Sequence, residues 1–308
     1  MDLEEISCPL CNSPKNEVVL KTADHNFGVP GIFSIKKCID CGMRFVSPRP
    51  VDISQIYPEH YANAYKLSNA YLNKREFKRR LRLIKEHIPT GKILEVGCSA
   101  GHLLAAIREQ GYQVTGLEVD RRTAEFARAT YKLDIINKSL ESAELPKNEF
   151  DGVVLFDVFE HLTDPSGCLC QIYKTLKPGG KIIIKVPNYG CFESRLWGQF
   201  WYGKDVPRDL LHFNEQTIKM ILTKNGFVNV QVKHNGEGNY AIQSFGKLIR
   251  ASFGKVRSRK DFQEPANTLT IKKMVFILFA LLNELPVRLL ALCRQGNSLT
   301  VFGEKDRS

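Results

Sequence analysis

The chain has 308 residues, of which 43% are hydrophobic and 25% are charged, and its formal net charge at pH 7 is +11. This composition is typical of a folded globular protein and excludes extensive disorder. The first residues, Met1 to Glu5, are acidic where a signal peptide would be cationic, so we expect a cytoplasmic protein. There, nine cysteines favour metal binding or buried small side chains over disulfides.

Residues 1–50 contain two Cys-x-x-Cys pairs. Two such pairs in a short, turn-rich segment predict one structural zinc site, because four protein ligands leave the metal no open position. A hairpin loop at 25–33 would bring the pairs together. A redox role is the alternative, but the pairs do not lie at a thioredoxin-like strand-to-helix turn. The predicted ligands are Cys8, Cys11, Cys38 and Cys41.

Residues 51–90 predict a helical linker or lid. Tyr57, Tyr61 and Tyr65 recur every fourth residue and favour either a lid over the site or one face of a core helix. A basic stretch follows at 74–85, and another lies at 255–260. Such stretches suit nucleic acid, anionic lipid or a phosphorylated substrate, and they also suit a solvated helix face.

Residues 91–233 alternate short apolar strands with helices of about ten residues, which predicts an α/β fold with a parallel sheet covered on both faces. Residues 234–297 would be a helical insertion before a last strand, so 91–308 would form one domain. The predicted strands are Lys92–Val96, Gln113–Glu118, Asp134–Asn137, Gly152–Phe156, Lys181–Val186, Val228–Val232 and Ser298–Phe302. The predicted helices are His102–Gln110, Arg121–Thr130, Ser166–Leu176 and Glu215–Asn225.

A glycine-bearing loop, Gly97–Gly101, follows the first of these strands and opens the first helix. Its backbone N–H groups can approach a ligand closely. The dinucleotide fingerprint would require glycine where Ser99 and His102 stand, so a pyrophosphate ligand is disfavoured. A ligand with an amino-acid end and a ribose fits better. Glu118, at the end of the second strand, could accept both ribose hydroxyls.

Five segments in matching order resemble the class I S-adenosylmethionine-dependent methyltransferases: 93–101, 116–118, 150–151, 156–162 and 176–180. The resemblance implies a Rossmann-like, doubly wound, mostly parallel seven-stranded sheet that binds S-adenosylmethionine. The implied donor-binding residues are Glu95, Gly97, Cys98, Ser99 and Gly101 at the methionine end, Glu118 at the ribose, Ser139, Leu140 and Glu141 at the adenine, and Phe156 and Asp157 beneath the sulfonium. Three carboxylates among them suit a cationic donor.

Methyl transfer also needs alignment and a base for the acceptor. His161 is the first candidate, although it could merely cap the next helix, and the catalytic set we expect is His161, His212 and Asp157. The segment from Asp157 to His161 is also similar to that of quinone-biosynthesis O-methyltransferases, which implies Mg²⁺ or Mn²⁺ held by Asp157, Glu160 and His161. Arg208 could bind an anionic or sugar-phosphate group.

A zinc-ribbon-like segment before this core is similar to a bacterial branch of methyltransferases that includes sugar methyltransferases and enzymes of surface-polysaccharide genes. We therefore expect a small-molecule acceptor: a sugar, glycan or related hydroxylated metabolite. A nucleic-acid methyltransferase is the alternative, but the loop after the fourth strand, 156–159, lacks the Asn/Asp-Pro-Pro-aromatic pattern. A third hypothesis is a non-catalytic, zinc-dependent binding protein that retains the fold.

The apolar stretch 274–282 is too short to cross a bilayer, which takes about 20 residues. With its basic neighbours it could lie in the interface of an anionic membrane, which would place the protein at the inner membrane face. The alternatives are a helical pair that covers the sheet and a contact in a homodimer.

Overall fold

The structure is a computed structural model that describes residues 1–57, 70–254, 283 and 285–307, with residues 70–75 described by their backbone alone. Tyr61, Tyr65, the second basic stretch and the apolar stretch 274–282 lie outside the described residues.

The elements follow the predicted alternation of strands and helices. The strands are β1 (Leu3–Glu4), β2 (Asn16–Thr22), β3 (Phe33–Cys38), β4 (Arg44–Val46), β5 (Arg49–Pro50), β6 (Lys92–Val96), β7 (Gln113–Leu117), β8 (Ile135–Ile136), β9 (Phe150–Phe156), β10 (Leu176–Pro187), β11 (Leu211–His212), β12 (Phe227–Asn235) and β13 (Ser298–Lys305). The helices are α1 (Ala70–His87), α2 (His102–Arg108), α3 (Arg121–Tyr131), α4 (Pro165–Thr175), α5 (Phe192–Trp197), α6 (Glu215–Lys224) and α7 (Asn239–Ser252).

The large sheet has seven strands in the order β12-β13-β10-β9-β6-β7-β8. The strands from β10 to β8 are mutually parallel, and β13 runs antiparallel to both β10 and β12. This confirms the predicted α/β class and its mostly parallel seven-stranded sheet. Strand β10 begins earlier than predicted, because Leu176 pairs with Phe150 before a register shift at Lys181.

Both faces of the sheet are covered. In β9, Val153 and Leu155 belong to one apolar cluster together with residues of α4 and α6, whereas Val154 and Phe156 belong to another with residues of α1 and α2. Because successive strand side chains point to opposite faces, the continuous apolar run of β9 fills two cores.

Polar caps fix where helices begin after the strands. The Asp120 carboxylate accepts the Thr123 N–H at the start of α3, and Asp164 accepts the Gly167 N–H at the start of α4. Each cap satisfies a backbone donor that has no partner within the helix.

A second sheet has the order β11-β4-β3-β2. Strands β2 and β3 form an antiparallel hairpin, and β4 pairs with β3. Strand β11, from the loop beyond α5, completes this sheet by pairing with β4. Residues 1–50 are thus joined by backbone hydrogen bonds to β11, which lies between β10 and β12 in the chain.

In the part of the chain that the structure describes, no helix combines the length and the apolar character that a membrane crossing requires.

Candidate functional site

The candidate site lies where β6, β7 and β9 end. These strands are neighbours and run parallel, so their carboxyl ends share one edge of the sheet. The loop Gly97–Gly101 follows β6, Glu118 follows β7 and Asp157 follows β9. Ligands of open α/β sheets bind at this edge.

Three residues of the loop after β6 have left-handed backbone conformations. The φ angles are 71° at Gly97, 49° at Ser99 and 77° at Gly101. A Cβ atom on Gly97 would lie 2.4 Å from Val158 Cγ2, so a side chain has no room there. Ser99 tolerates a conformation that is uncommon for residues other than glycine. The left-handed backbone of this loop therefore explains why glycine stands at positions 97 and 101.

Glu118 holds this loop to the end of β7. Its two carboxylate oxygens accept the backbone N–H groups of Ser99 and Asp120, each at 2.8 Å. The side chain is mostly buried, and burial raises the pKa of Glu118 above its ordinary value. Each carboxylate oxygen has a further lone pair, so Glu118 can also accept ligand hydroxyls.

Glu95, on β6, is a buried carboxyl with an unpaired atom. The residue is 5% exposed, and its Oε2 atom has no hydrogen-bond partner. Burial, against the opposing charge of Arg80 and together with the neighbouring Glu118 charge, raises the pKa of Glu95 to about 8. A buried unpaired acceptor is costly unless a ligand satisfies it. The amino group of a methionine moiety would supply such a donor, so the residues fit S-adenosylmethionine.

Asp157 is held by two cations that the sequence did not indicate. Arg80 Nη2 lies 2.7 Å from its Oδ2, and Lys185 Nζ lies 3.3 Å from its Oδ1. Burial would raise the pKa of Asp157, but Lys185 and Arg80 together hold it below its ordinary value. The Arg80 guanidinium also lies 4.6 Å from the centre of the Phe156 ring. Asp157 itself has a φ of 59°.

The first basic stretch is therefore only partly a solvated face. Arg79 Nη2 pairs with Glu237 at 2.6 Å, and both Arg79 and Arg80 pair with Glu76. The spacing of Glu76 from these arginines, three and four residues, was the signal in the sequence for ion pairs on one helix face.

On the adenine side, Leu140 is buried, and the Ser139 hydroxyl lies 3.0 Å from the Ser142 hydroxyl. The Ser142 and Ala143 N–H groups donate to the Ser139 carbonyl, which forms a compact turn. Glu141 is exposed. This turn follows β8, the strand next to β7.

His161 is fixed by the loop that precedes β11. Its Nδ1 lies 2.9 Å from the Arg208 carbonyl oxygen and 3.5 Å from Asp209 Oδ1. A carbonyl only accepts hydrogen bonds, so Nδ1 carries the proton, and Nε2 of the neutral ring keeps its lone pair. In this tautomer Nε2 is the ring nitrogen that can accept a proton.

The three predicted ligands of a divalent cation are not assembled. Glu160 and His161 lie with Asp209, their ligand atoms all within 4.8 Å of one another, and Asp157 is not part of this group. Glu160 is buried, and its Oε2 atom has no hydrogen-bond partner. Burial and the charges of Asp209 and Asp157 raise the pKa of Glu160 well above its ordinary value. Asp157 instead neutralises Arg80 and Lys185.

His212 lies on β11 and is 4% exposed. Burial, reinforced by Lys204, Arg44 and Lys247, lowers its pKa to about 3. The Tyr189 ring lies 5.4 Å away, centre to centre. A ring this weakly basic is poorly suited to take a proton near neutral pH.

The prediction that Arg208 binds an anionic substrate is wrong, because the side chain is fully buried and already paired. Its guanidinium pairs with Asp24 at 2.8 Å and with Asp205 at 2.7 Å. Trp201, in the same loop, is also fully buried and packs with Cys191 and Tyr240.

The four predicted zinc ligands lie together. The Sγ atoms of Cys8 and Cys41 are 3.5 Å apart, as are those of Cys11 and Cys38, and all four lie within 4.8 Å of one another. Tetrahedral zinc with Zn–S bonds of about 2.3 Å requires sulfurs about 3.8 Å apart. The thiol cluster fits a structural zinc ion.

This fold is that of a methyltransferase domain. The family model described as "Methyltransferase domain" matches residues 68–232, more than half of the chain, and the chain belongs to this family.

Among curated proteins, the chain is 32% identical over 124 residues to a probable S-adenosylmethionine-dependent methyltransferase of Mycolicibacterium smegmatis, covering 40% of this chain and 45% of the relative. It is 33% identical over 112 residues to a ubiquinone biosynthesis O-methyltransferase of Vibrio atlanticus, covering 34% and 47%. The chain thus spans about half the length of the curated relatives it matches.

Two solved structures share the fold. Phosphoethanolamine N-methyltransferase 2 of Haemonchus contortus matches with a TM-score of 0.54 at 17% identity, covering 94% of this chain and 71% of that one. A SAM-dependent methyltransferase of Archaeoglobus fulgidus matches with a TM-score of 0.51 at 19% identity, covering 76% and 94%.

Proposed function

We propose that this protein transfers a methyl group from S-adenosylmethionine to a small hydroxylated acceptor. The observation that carries the proposal is the juxtaposition, on one sheet edge, of a left-handed glycine loop, two buried glutamates and His161 in the tautomer of a base. The family and the names of the relatives support the same chemistry.

On the donor side, Glu95 and the loop Gly97, Cys98, Ser99 and Gly101 would hold the methionine end. Glu118 would accept the ribose hydroxyls. When bound, S-adenosylmethionine supplies an electrophilic methyl group on a sulfonium ion. The buried carboxyls of Glu95 and Glu118 would offer acceptors that suit the ammonium and hydroxyl groups of this ligand better than the phosphates of a dinucleotide. The other donor contacts we propose are those of Ser139, Leu140 and Glu141 with the adenine and of Phe156 and Asp157 beneath the sulfonium.

On the acceptor side, His161 Nε2 would take the proton of the attacking hydroxyl as the acceptor oxygen bonds to the methyl carbon. The bond from that carbon to sulfur would break, and S-adenosylhomocysteine would leave with its electron pair. The protein would otherwise act by aligning the acceptor oxygen with the methyl carbon and the sulfur, since the transfer is an in-line displacement. We favour His161 over His212 because the pKa of His212 is lowered to about 3.

For the acceptor we propose a sugar, glycan or related hydroxylated metabolite. The relative named as a ubiquinone biosynthesis O-methyltransferase favours an oxygen acceptor in general. A nucleic-acid acceptor is less favoured, because Arg79 and Arg80 in the first basic stretch are engaged in ion pairs.

We assign structural zinc to Cys8, Cys11, Cys38 and Cys41. A divalent cation beside His161 stays a separate prediction, which activity after chelation and Mg²⁺ add-back would decide. An activity that never changes would exclude that cation.

Peripheral membrane association is a further prediction, with a homodimer contact as its alternative. Exposed apolar side chains of α7, of the residue that caps its end and of the helical residues 285–292 support it: Phe245, Ile249, Phe253, Leu285, Leu289 and Leu292. Co-sedimentation with anionic liposomes, beside sedimentation velocity without them, would distinguish the two.

The proposal is tested by calorimetric titration of the protein with S-adenosylhomocysteine and, in parallel, with NADH. We expect binding of the adenosyl compound alone. Transfer of labelled methyl groups to a panel of sugars and phenols then identifies the acceptor. Binding of NADH without binding of S-adenosylhomocysteine would overturn the donor assignment.

A further inference from the structure

The loop that holds His161 is itself held by the amino-terminal segment. Arg208, whose carbonyl accepts the His161 Nδ1–H, donates from its side chain to Asp24, 184 residues earlier in the chain. Asp24 lies between β2 and β3, at the end of their hairpin.

Every N–H of the Arg208 guanidinium has an acceptor. Nε donates to Asp205 Oδ2, Nη1 to Asp24 Oδ2 and the Ile56 carbonyl, and Nη2 to Asp24 Oδ1 and Asp205 Oδ1. The four carboxylate contacts measure 2.7–2.8 Å, and the arginine is fully buried. Because all five donors of the planar guanidinium have acceptors, the side chain is held in one orientation.

Hydrogen bonds between Asp205 and Asp209 also fix the backbone on either side of Arg208. The Asp205 N–H donates to Asp209 Oδ2 at 2.8 Å, and the Asp209 N–H donates to the Asp205 carbonyl at 2.8 Å. This turn, residues 205–209, therefore carries both groups that face His161 Nδ1: the Arg208 carbonyl and the Asp209 carboxylate. Displacing the Arg208 side chain would move both.

Asp24 is as firmly held as the arginine it pairs with. Its side chain is fully buried. Its carboxylate also accepts the N–H groups of Asn26, Phe27 and Val29 at 2.9–3.1 Å. Asn26 Nδ2 donates to Asp205 Oδ1 at 2.6 Å, which is a second link between the hairpin loop and the turn.

We propose that Asp24 is a positioning residue: through Arg208 it fixes the turn 205–209, and this turn holds His161 in the Nδ1–H tautomer. The amino-terminal segment thus contributes to the acceptor side of the site without contacting the reacting atoms. The inference rests on the proposed role of His161 as the base.

The test reads the His161 ring by ¹⁵N NMR in the full chain with S-adenosylhomocysteine bound and no acceptor. In the wild type, Nδ1 should show the shift of a protonated ring nitrogen. In Asp24→Asn, the ratio of the Nδ1–H to the Nε2–H tautomer should fall about tenfold, the effect of one weakened hydrogen bond. Affinity for S-adenosylhomocysteine should stay within about twofold, since the donor site makes none of these contacts.

The matched control is Glu17→Gln, an exposed carboxyl on β2 of the same hairpin, which should leave the His161 signals unchanged. If Asp24→Asn does not fold, Asn26→Ala takes its place, because it removes only the second link, and the tautomer ratio should shift in the same direction by a smaller factor. Wild-type tautomer signals in a folded Asp24→Asn or Asn26→Ala protein would overturn the inference.

The proposed role of His161 as the base is tested separately from the tautomer. It would be overturned if His161→Ala transferred methyl groups at the wild-type rate. That result would leave the tautomer measurement standing as a statement about structure alone.

Discussion

Arg80 and Asp157 join the helix before the sheet to the loop after β9 across a 2.7 Å ion pair. The Arg80 side chain is 15% exposed, and its guanidinium also lies over the Phe156 ring. In the proposed function, α1 would thereby close one side of the donor site.

Arg80→Met should weaken S-adenosylhomocysteine binding about tenfold, because Asp157 loses a charged partner and Phe156 loses its cover. Calorimetric titration measures this. The matched control is Arg82→Met, an exposed arginine on the same helix, which should bind like the wild type. Equal affinities of the two variants would show that Arg80 has no part in the donor site.

Glu95 should make the unliganded protein less stable as the pH rises. Its pKa is raised from 4.5 to about 8 in the folded chain. The folded state therefore binds more protons than the unfolded state between these values, and the free energy of unfolding falls across that window. Glu95→Gln should remove this dependence, so its stability relative to the wild type should be greater at pH 8 than at pH 5.

Urea unfolding of both proteins at pH 5 and pH 8 measures the difference. The same substitution should weaken S-adenosylhomocysteine binding, because a neutral amide attracts the ligand ammonium less than a carboxylate does. A parallel pH dependence in the two proteins would mean that Glu95 ionises freely when folded.

His161→Ala should lower the methyl-transfer rate by about 10²- to 10⁴-fold, the usual contribution of a general base. S-adenosylhomocysteine affinity should be unchanged. The comparison is His212→Phe, in which a buried neutral ring is replaced by an apolar one. We expect His212→Phe to change the melting temperature. It should leave the pH dependence of the methyl-transfer rate as in the wild type, since the pKa of His212 is about 3. A larger rate loss in His212→Phe would reverse the assignment of the base.

Cys11→Ser should lower the zinc content measured by atomic absorption, and it should lower the melting temperature, because the metal ties the two Cys-x-x-Cys turns together. Cys170→Ser is the control, since Cys170 is exposed on α4 and belongs to no thiol cluster of the described residues. Full zinc content in Cys11→Ser would remove this residue from the site.

Local patterns predicted most of the fold. Short apolar runs such as Lys92–Val96 match β6, and the predicted helix Arg121–Thr130 ends within one residue of α3. The four cysteines converge as their spacing indicated. Periodicity, capping and thiol spacing are properties of contiguous residues, so the sequence contains them directly.

The sequence by itself determined the α/β order, the position of the glycine-bearing loop after β6 and the thiol cluster. Only the tertiary structure decided which charges meet: Arg80 turns to Asp157, Arg208 is buried against Asp24, and Asp209 rather than Asp157 lies beside His161. These pairs join residues far apart in the chain. Their meeting depends on how helices and loops cross the sheet edge, and the desolvation that fixes them arises only when the core has packed.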